Sequence, residues 1–295
     1  MGVHTFGHWS ARAEGPETAN YARPDAAKPT MEVSMRAGWK SRGGRVVTCA
    51  AVAASLVGTA GASAANAGTI KVPTQYASGI KVAVDATYPP DEFMRNGKIV
   101  GFDADLAQAL SSALGVKLEL EDATFDTIIA GVEDGKYGIG DSSFTDNKSR
   151  EKSVDFVDYF VAGEAFYENS SSKLVFNGLH SLCGHSVSVE SGTTEQTDAQ
   201  TQAKTCKVTV ESFGNQDQAN LAVETGRAQV GFADSQVAAY IVHLSDGQFK
   251  LTGTAFSTAP YGFIVAKNSG LLQPLYEAFK VIFANGQYKK ILDSW

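Results

Sequence analysis

From residue 80 onward, short apolar runs alternate with stretches in which apolar residues recur every three or four positions. Ile80-Lys81-Val82-Ala83-Val84 alternates as a strand does, successive side chains pointing to opposite faces. Over 105–114 the apolar residues fall at Leu106, Ala109, Leu110 and Ala113, a helical spacing that stops at Gly115. A strand over 116–120 follows. Thr124 then caps a helix whose inner side carries Ile128, Ile129 and Val132, and 137–139 reads as a short strand. A second series begins after Ala162, with strands over 186–189, 207–210 and 230–233. Its helices run over 194–204, 216–224 and 235–244. A strand over 263–266 and helices over 271–285 and 288–292 complete the pattern. Strands alternating with helices predict an α/β fold of parallel sheets covered on both faces. Two similar series predict two similar lobes. In such folds ligands sit beyond the C-terminal ends of the strands, where loops and helix N-termini converge.

The N-terminal region follows a different plan. Residues 46–58, VVTCAAVAASLVG, form an apolar run behind Arg36, Lys40, Arg42 and Arg45, and Ala62-Ser63-Ala64 follows as a small-x-small signal. That is the layout of a secretory signal peptide, its apolar core too short to span a bilayer. Cleavage is expected after Ala64, with Ala67 as the second choice. Translation from Met35 would give a leader of normal length, and the segment before it shows no periodicity. Cys49 opens the apolar run, whereas lipid attachment needs a cysteine at its end, so an exported protein without a lipid anchor is expected.

Export changes the charge picture. A leader to Ala64 removes seven of the 25 basic and four of the 32 acidic residues, leaving a net charge of about −10. Such a surface repels nucleic-acid phosphates, and no basic patch argues otherwise. Cys183 and Cys206 remain, and an oxidising compartment favours a disulfide between them, two free thiols being the alternative. His185 lies near Cys183, but no second ligand pair follows at metal-binding spacing, so neither metal nor cofactor is expected.

The predicted strand ends carry the candidate chemistry. Asp85 and Tyr88 follow the first strand; Ser142, Ser143, Thr145 and Arg150 follow the strand at 137–139. Glu190, Thr193 and Thr194 follow the strand at 186–189, and Asp234 follows 230–233. Arg150 can hold a carboxylate in a bidentate fork. A helix N-terminus at Thr193-Thr194 offers free N–H groups to the same anion. Asp234 can accept from an α-ammonium, with Tyr88 and Phe125 as apolar walls. Taken singly, Thr193, Thr194 and Asp234 read equally well as helix caps. Likewise Arg150 with Glu151 and Asp155 reads as a surface ion-pair cluster, and Phe125 as core.

Three stretches, DATYPP, GKIVGFDADLAQAL and GKYGIGDSSFTDNKSREKSVDFVDYF, resemble family 3 of the extracellular solute-binding proteins, the polar amino-acid receptors of ABC importers. LCGHSVSVESGTTEQ, GRAQVGFADSQVAAY, APYGFIVAK and NGQYKKILDSW extend the likeness over 78–295. The resemblance implies a type II periplasmic-binding-protein-like fold, each lobe a sheet flanked by helices, joined by two hinge strands near 162–165 and 261–263. That gives a first lobe of 76–164 plus 262–295 and a second of 165–261. It also implies ligand contacts at Asp85, Tyr88, Phe125, Ser142, Ser143, Thr145, Arg150, Thr193, Thr194 and Asp234, with Glu190 touching the ligand side chain. The sequence departs from the pattern at Gly138, Gln229 and Asp146-Asn147, the last pair putting the local loop geometry in question.

The expected function is therefore an exported monomeric receptor, periplasmic or on the outer cell face. It would hand a free amino acid to an ABC permease. Asp85 and Glu190 favour a basic or amide side chain. The rivals are an enzyme on the same fold, such as a cyclohexadienyl dehydratase, and a ligand sensor. The enzyme would need a general acid, for which Glu190 is the candidate, and the sequence places nothing beside it that tunes its pKa.

Overall fold

A computed structural model describes residues 70–295; the expected leader and its cleavage sites lie outside the described residues. The chain opens with β1 (Ile80–Val84) and a small antiparallel sheet of β2 (Thr87–Tyr88), β3 (Glu92–Arg95) and β4 (Lys98–Val100). Then come α1 (Phe102–Leu114), β5 (Leu118–Asp122), α2 (Phe125–Glu133) and β6 (Ile139–Thr145). β1 lies between β5 and β6 and is parallel to both. A long strand, β7 (Val154–Asn169), leads into β8 (Ser186–Glu190), α3 (Thr194–Ala203), β9 (Thr209–Phe213), α4 (Gln216–Glu224) and β10 (Val230–Asp234). Here β8 is the central strand, parallel to β9 and β10. After α5 (Ser235–Leu244), a second long strand, β11 (Phe249–Ala266), returns to α6 (Leu272–Ala284) and α7 (Gln287–Leu292).

The two parallel halves are joined through β7 and β11, giving one sheet in the order β5-β1-β6-β11-β7-β10-β8-β9. β7 and β11 run antiparallel to each other over most of their length. At one end β11 pairs with β6, Tyr261 opposite Thr145; at the other β7 pairs with β10, Ala165 opposite Ala233. A Cβ on Gly163 would lie 2.6 Å from the Phe256 carbonyl oxygen, so the crossing strands approach closer there than a side chain permits. The fold is two-lobed. We propose lobe boundaries at these crossings, near 161–164 and 257–260, which moves the second limit a few residues ahead of the 261–262 step read from the sequence.

Alternation explains the packing. Ile80, Val82 and Val84 enter one cluster with Leu106 and Leu110 of α1 and Leu275 and Ile282 of α6. Ala83, between them, faces the opposite cluster with Ile128 and Val132 of α2. The second half repeats this plan. Val187, Val189 and Phe232 pack with Ala199 of α3, while Ala233 packs with Val223, Val237 and Ile241 of α4 and α5. The inner parallel strands β1, β6, β8 and β10 are thus covered on both sides, as their apolar content requires, while the edge strands β5 and β9 keep exposed positions. Tyr88, from the first half, is packed among the second half's residues.

Cys183 and Cys206 form a disulfide with Cα atoms 5.6 Å apart, enclosing β8 and α3. Chain-entropy arguments give such a cross-link, here spanning a sequence separation of 23, about 3 kcal/mol. A Cys183→Ser, Cys206→Ser protein is expected to unfold at a correspondingly lower urea midpoint. An unchanged midpoint would show that the link constrains little.

Candidate functional site

One cavity is lined by all eleven ligand-contact residues named from the sequence, and by Glu195. β1, β6, β8 and β10 end at it, so the convergence of strand ends builds the site. Arg150 is the cation among these lining residues. Asn147 Oδ1 accepts from the backbone N–H groups of Ser149 and Arg150, both at 3.0 Å, and this turn aims the arginine. Its Nη1 donates to the Thr145 carbonyl at 3.0 Å and its Nη2 to the Gly192 carbonyl at 3.1 Å. The guanidinium carbon stands 5.5 Å from the ring centroids of Phe125 and Phe144, which stack on each other. The surface ion-pair reading of Arg150 fails, since Asp155 pairs instead with Lys267 at 2.8 Å.

The cap readings divide. Thr193 does cap α3, its Oγ1 accepting from Gln196 N at 3.1 Å. Asp234 stands at the N-cap position of α5 but makes no capping bond. Its carboxylate accepts from the Tyr88 hydroxyl at 2.8 Å and from the Tyr261 hydroxyl. Phe125 is both core and wall, 8 % exposed and lining the cavity.

Contacts bridge the two lobes around this cavity. Besides Arg150 to Gly192 and Tyr88 to Asp234, Thr145 Oγ1 lies 3.3 Å from Thr194 Oγ1 and Gln216 N donates to Thr87 Oγ1 at 3.2 Å. Gly192 has φ of +83°, and a Cβ there would meet Asp126 of α2 at 2.8 Å. Only glycine allows that turn to close against the first lobe.

The electrostatics are dominated by carboxyl groups. Asp85 receives three donors: Thr87 N at 3.1 Å and Thr87 Oγ1 at 2.5 Å on Oδ1, and Phe125 N at 3.0 Å on Oδ2. Burial raises its pKa, and these bonds oppose the rise. Glu190 lines the same cavity as Asp85, and burial pushes its carboxyl well above the ordinary glutamate value, with the Asp85 charge adding to the rise. The sequence reading placed nothing beside Glu190 to tune it; Asp85 does so, across the cavity from another strand. At the other end Asp234 is raised well above the ordinary value by burial and then by Glu195. The cavity thus holds two carboxyl pairs with a guanidinium beside one of them.

The sequence pattern of the bacterial extracellular solute-binding proteins, family 3, matches residues 80–295. The chain belongs to this family. Among relatives, it is 31 % identical over 216 residues to an arginine-binding protein, ArgT, of Corynebacterium glutamicum, covering 70 % of this chain and 71 % of that one. Two structures, each described as an ancestral arginine-binding protein, one bound to arginine and one to glutamine, superpose with TM-scores of 0.70 and 0.69 at 36 % and 35 % identity. Each comparison covers 73 % of this chain, and 97 % and 96 % of the other. An ancestral amino acid-binding protein described as a precursor of cyclohexadienyl dehydratase superposes with a TM-score of 0.67 at 32 % identity, covering 73 % of this chain and 94 % of that one. No described helix of this solute-binding protein is long and apolar enough to cross a membrane.

In this family member the serines do something the sequence reading did not foresee. Ser142 Oγ donates to Glu92 and accepts from Asp85 N at 3.0 Å; Ser143 Oγ donates to Asp91 at 2.8 Å. Both hydroxyl protons are therefore committed to carboxylates behind the cavity, leaving lone pairs to face it. Asp91, Glu92, Asp103 and Asp141 are all buried there, Asp91 pushed to about 7 by burial and the Asp103 charge, Asp103 to about 6 by burial. Gln236 of α5 reaches Asp91 from the other lobe at 2.8 Å. Asp141 is thus part of this buried cluster, and Asp146 and Asn147 shape the loop. Gly138 and Gln229 do not line the cavity. Glu195, 2 % exposed, was missed because an acidic residue in the first turn of a helix is ordinarily a partner of the helix dipole.

Proposed function

We propose that this protein is an exported, monomeric receptor that captures a free cationic amino acid and presents it to an ABC permease. The observation that carries the reading is the charge layout of one cavity between two lobes. Arg150 and the α3 N-terminus at Thr193-Thr194 match an α-carboxylate, and Asp234 matches an α-ammonium. Asp85 and Glu190 match a positive side chain. An acidic amino acid would bring a second negative charge to that pair and be repelled. Relatives described as arginine-binding support the same side-chain class. Because several bonds cross between the lobes, ligand binding and lobe closure strengthen each other, and the closed form is favoured by the ligand's differential affinity for it.

A second reading is favoured by two observations: the raised Glu190 carboxyl, which is suited to a general acid, and the likeness to a dehydratase precursor. Against it, a dicarboxylate of the prephenate kind would meet four carboxyl groups and one guanidinium among the lining residues. We take the protein to be a receptor without turnover. A melting screen over the proteinogenic amino acids, ornithine and citrulline separates the readings. At a hundredfold excess over Kd a ligand adds about 2.7 kcal/mol, which for a chain of this size is roughly 5–10 °C. Arginine, lysine or ornithine is expected to give this shift and glutamate none. A shift with glutamate alone, or loss of prephenate on incubation, would overturn the proposal.

A further inference from the structure

Asp85 and Glu190 differ in what holds them. Asp85 has three donors from Thr87 and Phe125, which keep it an anion and leave little capacity for a proton. Glu190 is 2 % exposed, its Oε1 has no hydrogen-bond partner among the described residues, and Arg150, the cation lining the same cavity, is bonded instead to the Thr145 and Gly192 carbonyls. The groups that do face it are Asp85 from the end of β1, Glu195 from α3, Asp234 from the end of β10 and the Tyr167 hydroxyl from β7. Asp217 of α4 adds a further negative charge facing Asp85. Every one of these neighbours is acidic or neutral. Two buried carboxyl groups lining one cavity in such surroundings resist ionising together, and the donors on Asp85 favour leaving the proton on Glu190.

We propose that Glu190 carries this proton before ligand enters and yields it to solvent when a cationic side chain binds, so that pH sets the preference between cationic and amide amino acids. The inference rests on the receptor reading above. A guanidinium or ammonium beside the pair supplies the positive charge that the proton supplied, and the O–H bond of Glu190 breaks as the proton passes to the buffer. An amide side chain carries no charge to replace it. It accepts from the protonated Glu190 and donates to Asp85, and the proton stays. Structures described as an ancestral arginine-binding protein bound to arginine and bound to glutamine show that proteins of this fold take both classes.

The direction follows from linkage. The Glu190 pKa is raised in the unliganded protein and lowered again by a bound cation, so between the two values binding releases a proton. Arginine affinity should climb with pH by up to about tenfold per unit above the ordinary glutamate range, and level off once Glu190 is ionised before binding. Glutamine affinity should stay flat over the same span and fall beyond it.

Titration calorimetry with L-arginine and with L-glutamine, each in phosphate and in Tris at the same pH, counts the protons exchanged. The α-carboxylate and α-ammonium are common to both ligands, so any exchange at Asp234 and Glu195 cancels in the comparison. The expected result is about one more proton released with arginine than with glutamine near neutral pH. In Glu190→Gln that difference should vanish, together with the pH slope for arginine. Equal proton release for the two ligands in the wild-type protein would overturn the proposal and leave the receptor reading standing. So would a difference that survives in Glu190→Gln. Binding of neither amino acid at any pH would overturn both.

Discussion

Arg150→Ala is expected to lower affinity for the amino-acid ligand by about thirtyfold or more while leaving the fold intact. The guanidinium is the positive charge among the residues lining the cavity, and it has no carboxylate salt-bridge partner among the described residues. Its two observed bonds go to carbonyl oxygens, Thr145 in one lobe and Gly192 in the other, and so leave donors for an incoming carboxylate. Removing one member of a desolvated charge pair costs about 2–5 kcal/mol, which is roughly thirtyfold to several thousandfold in Kd. Arg150→Lys should fall between the two, since an ammonium keeps the charge and loses the planar fork. Equilibrium binding measures the loss, and circular dichroism confirms that the variant is folded. Affinity within threefold of wild type in Arg150→Ala would mean that the carboxylate lies elsewhere.

The second large effect is expected at Asp234. Its carboxylate accepts from Tyr88 of the first lobe and from Tyr261 of β11, while Tyr88 accepts in turn from the Asp234 backbone N–H at 3.2 Å. One side chain thus serves the closed form and, in the proposed pose, the α-ammonium. Asp234→Asn keeps the volume and removes the charge, so the ammonium loses its counter-ion in a desolvated site. A loss of about a hundredfold in affinity is expected. Tyr88→Phe keeps the aromatic wall and tests the closure part: it deletes the bond to the Asp234 carboxylate, about 1.5–3 kcal/mol, together with the weaker one from the Asp234 N–H. It should therefore weaken binding by about tenfold to a hundredfold. Equal affinities for Asp234→Asn and wild type would remove Asp234 from the ligand site.

The sequence carried the parallel halves of the fold well, because strands such as Ile80–Val84 and helices such as α4 and α5 each bury a face at a regular period. It hid the strands that join them. β7 runs from one lobe to the other and is buried on both sides over Ala162–Tyr167, so it shows no alternation. β11 contains Gly253 and Ser257, both at positive φ, which break the pattern just where its pairing with β7 shifts register. The site was legible for a simpler reason: its residues gather at the C-terminal ends of strands, and a resemblance supplied their roles, although the strand expected at 137–139 runs over Ile139–Thr145 and so carries Ser142, Ser143 and Thr145 within it. What stayed hidden depended on distance along the chain. Asp91, Glu92, Asp103 and Asp141 come together from separate elements, and the carboxyl partner that tunes Glu190 lies 105 positions earlier, at Asp85. No local period records such a meeting, and the hydroxyl donors of Ser142 and Ser143 are turned by it.

The most direct test is a crystal structure of the mature protein grown with L-arginine. The account predicts one arginine in the cavity, its carboxylate on Arg150 and the Thr194 end of α3, its α-ammonium on Asp234, and its guanidinium between Asp85 and Glu190. An amino acid bound in the reverse orientation, or outside this cavity, would contradict it.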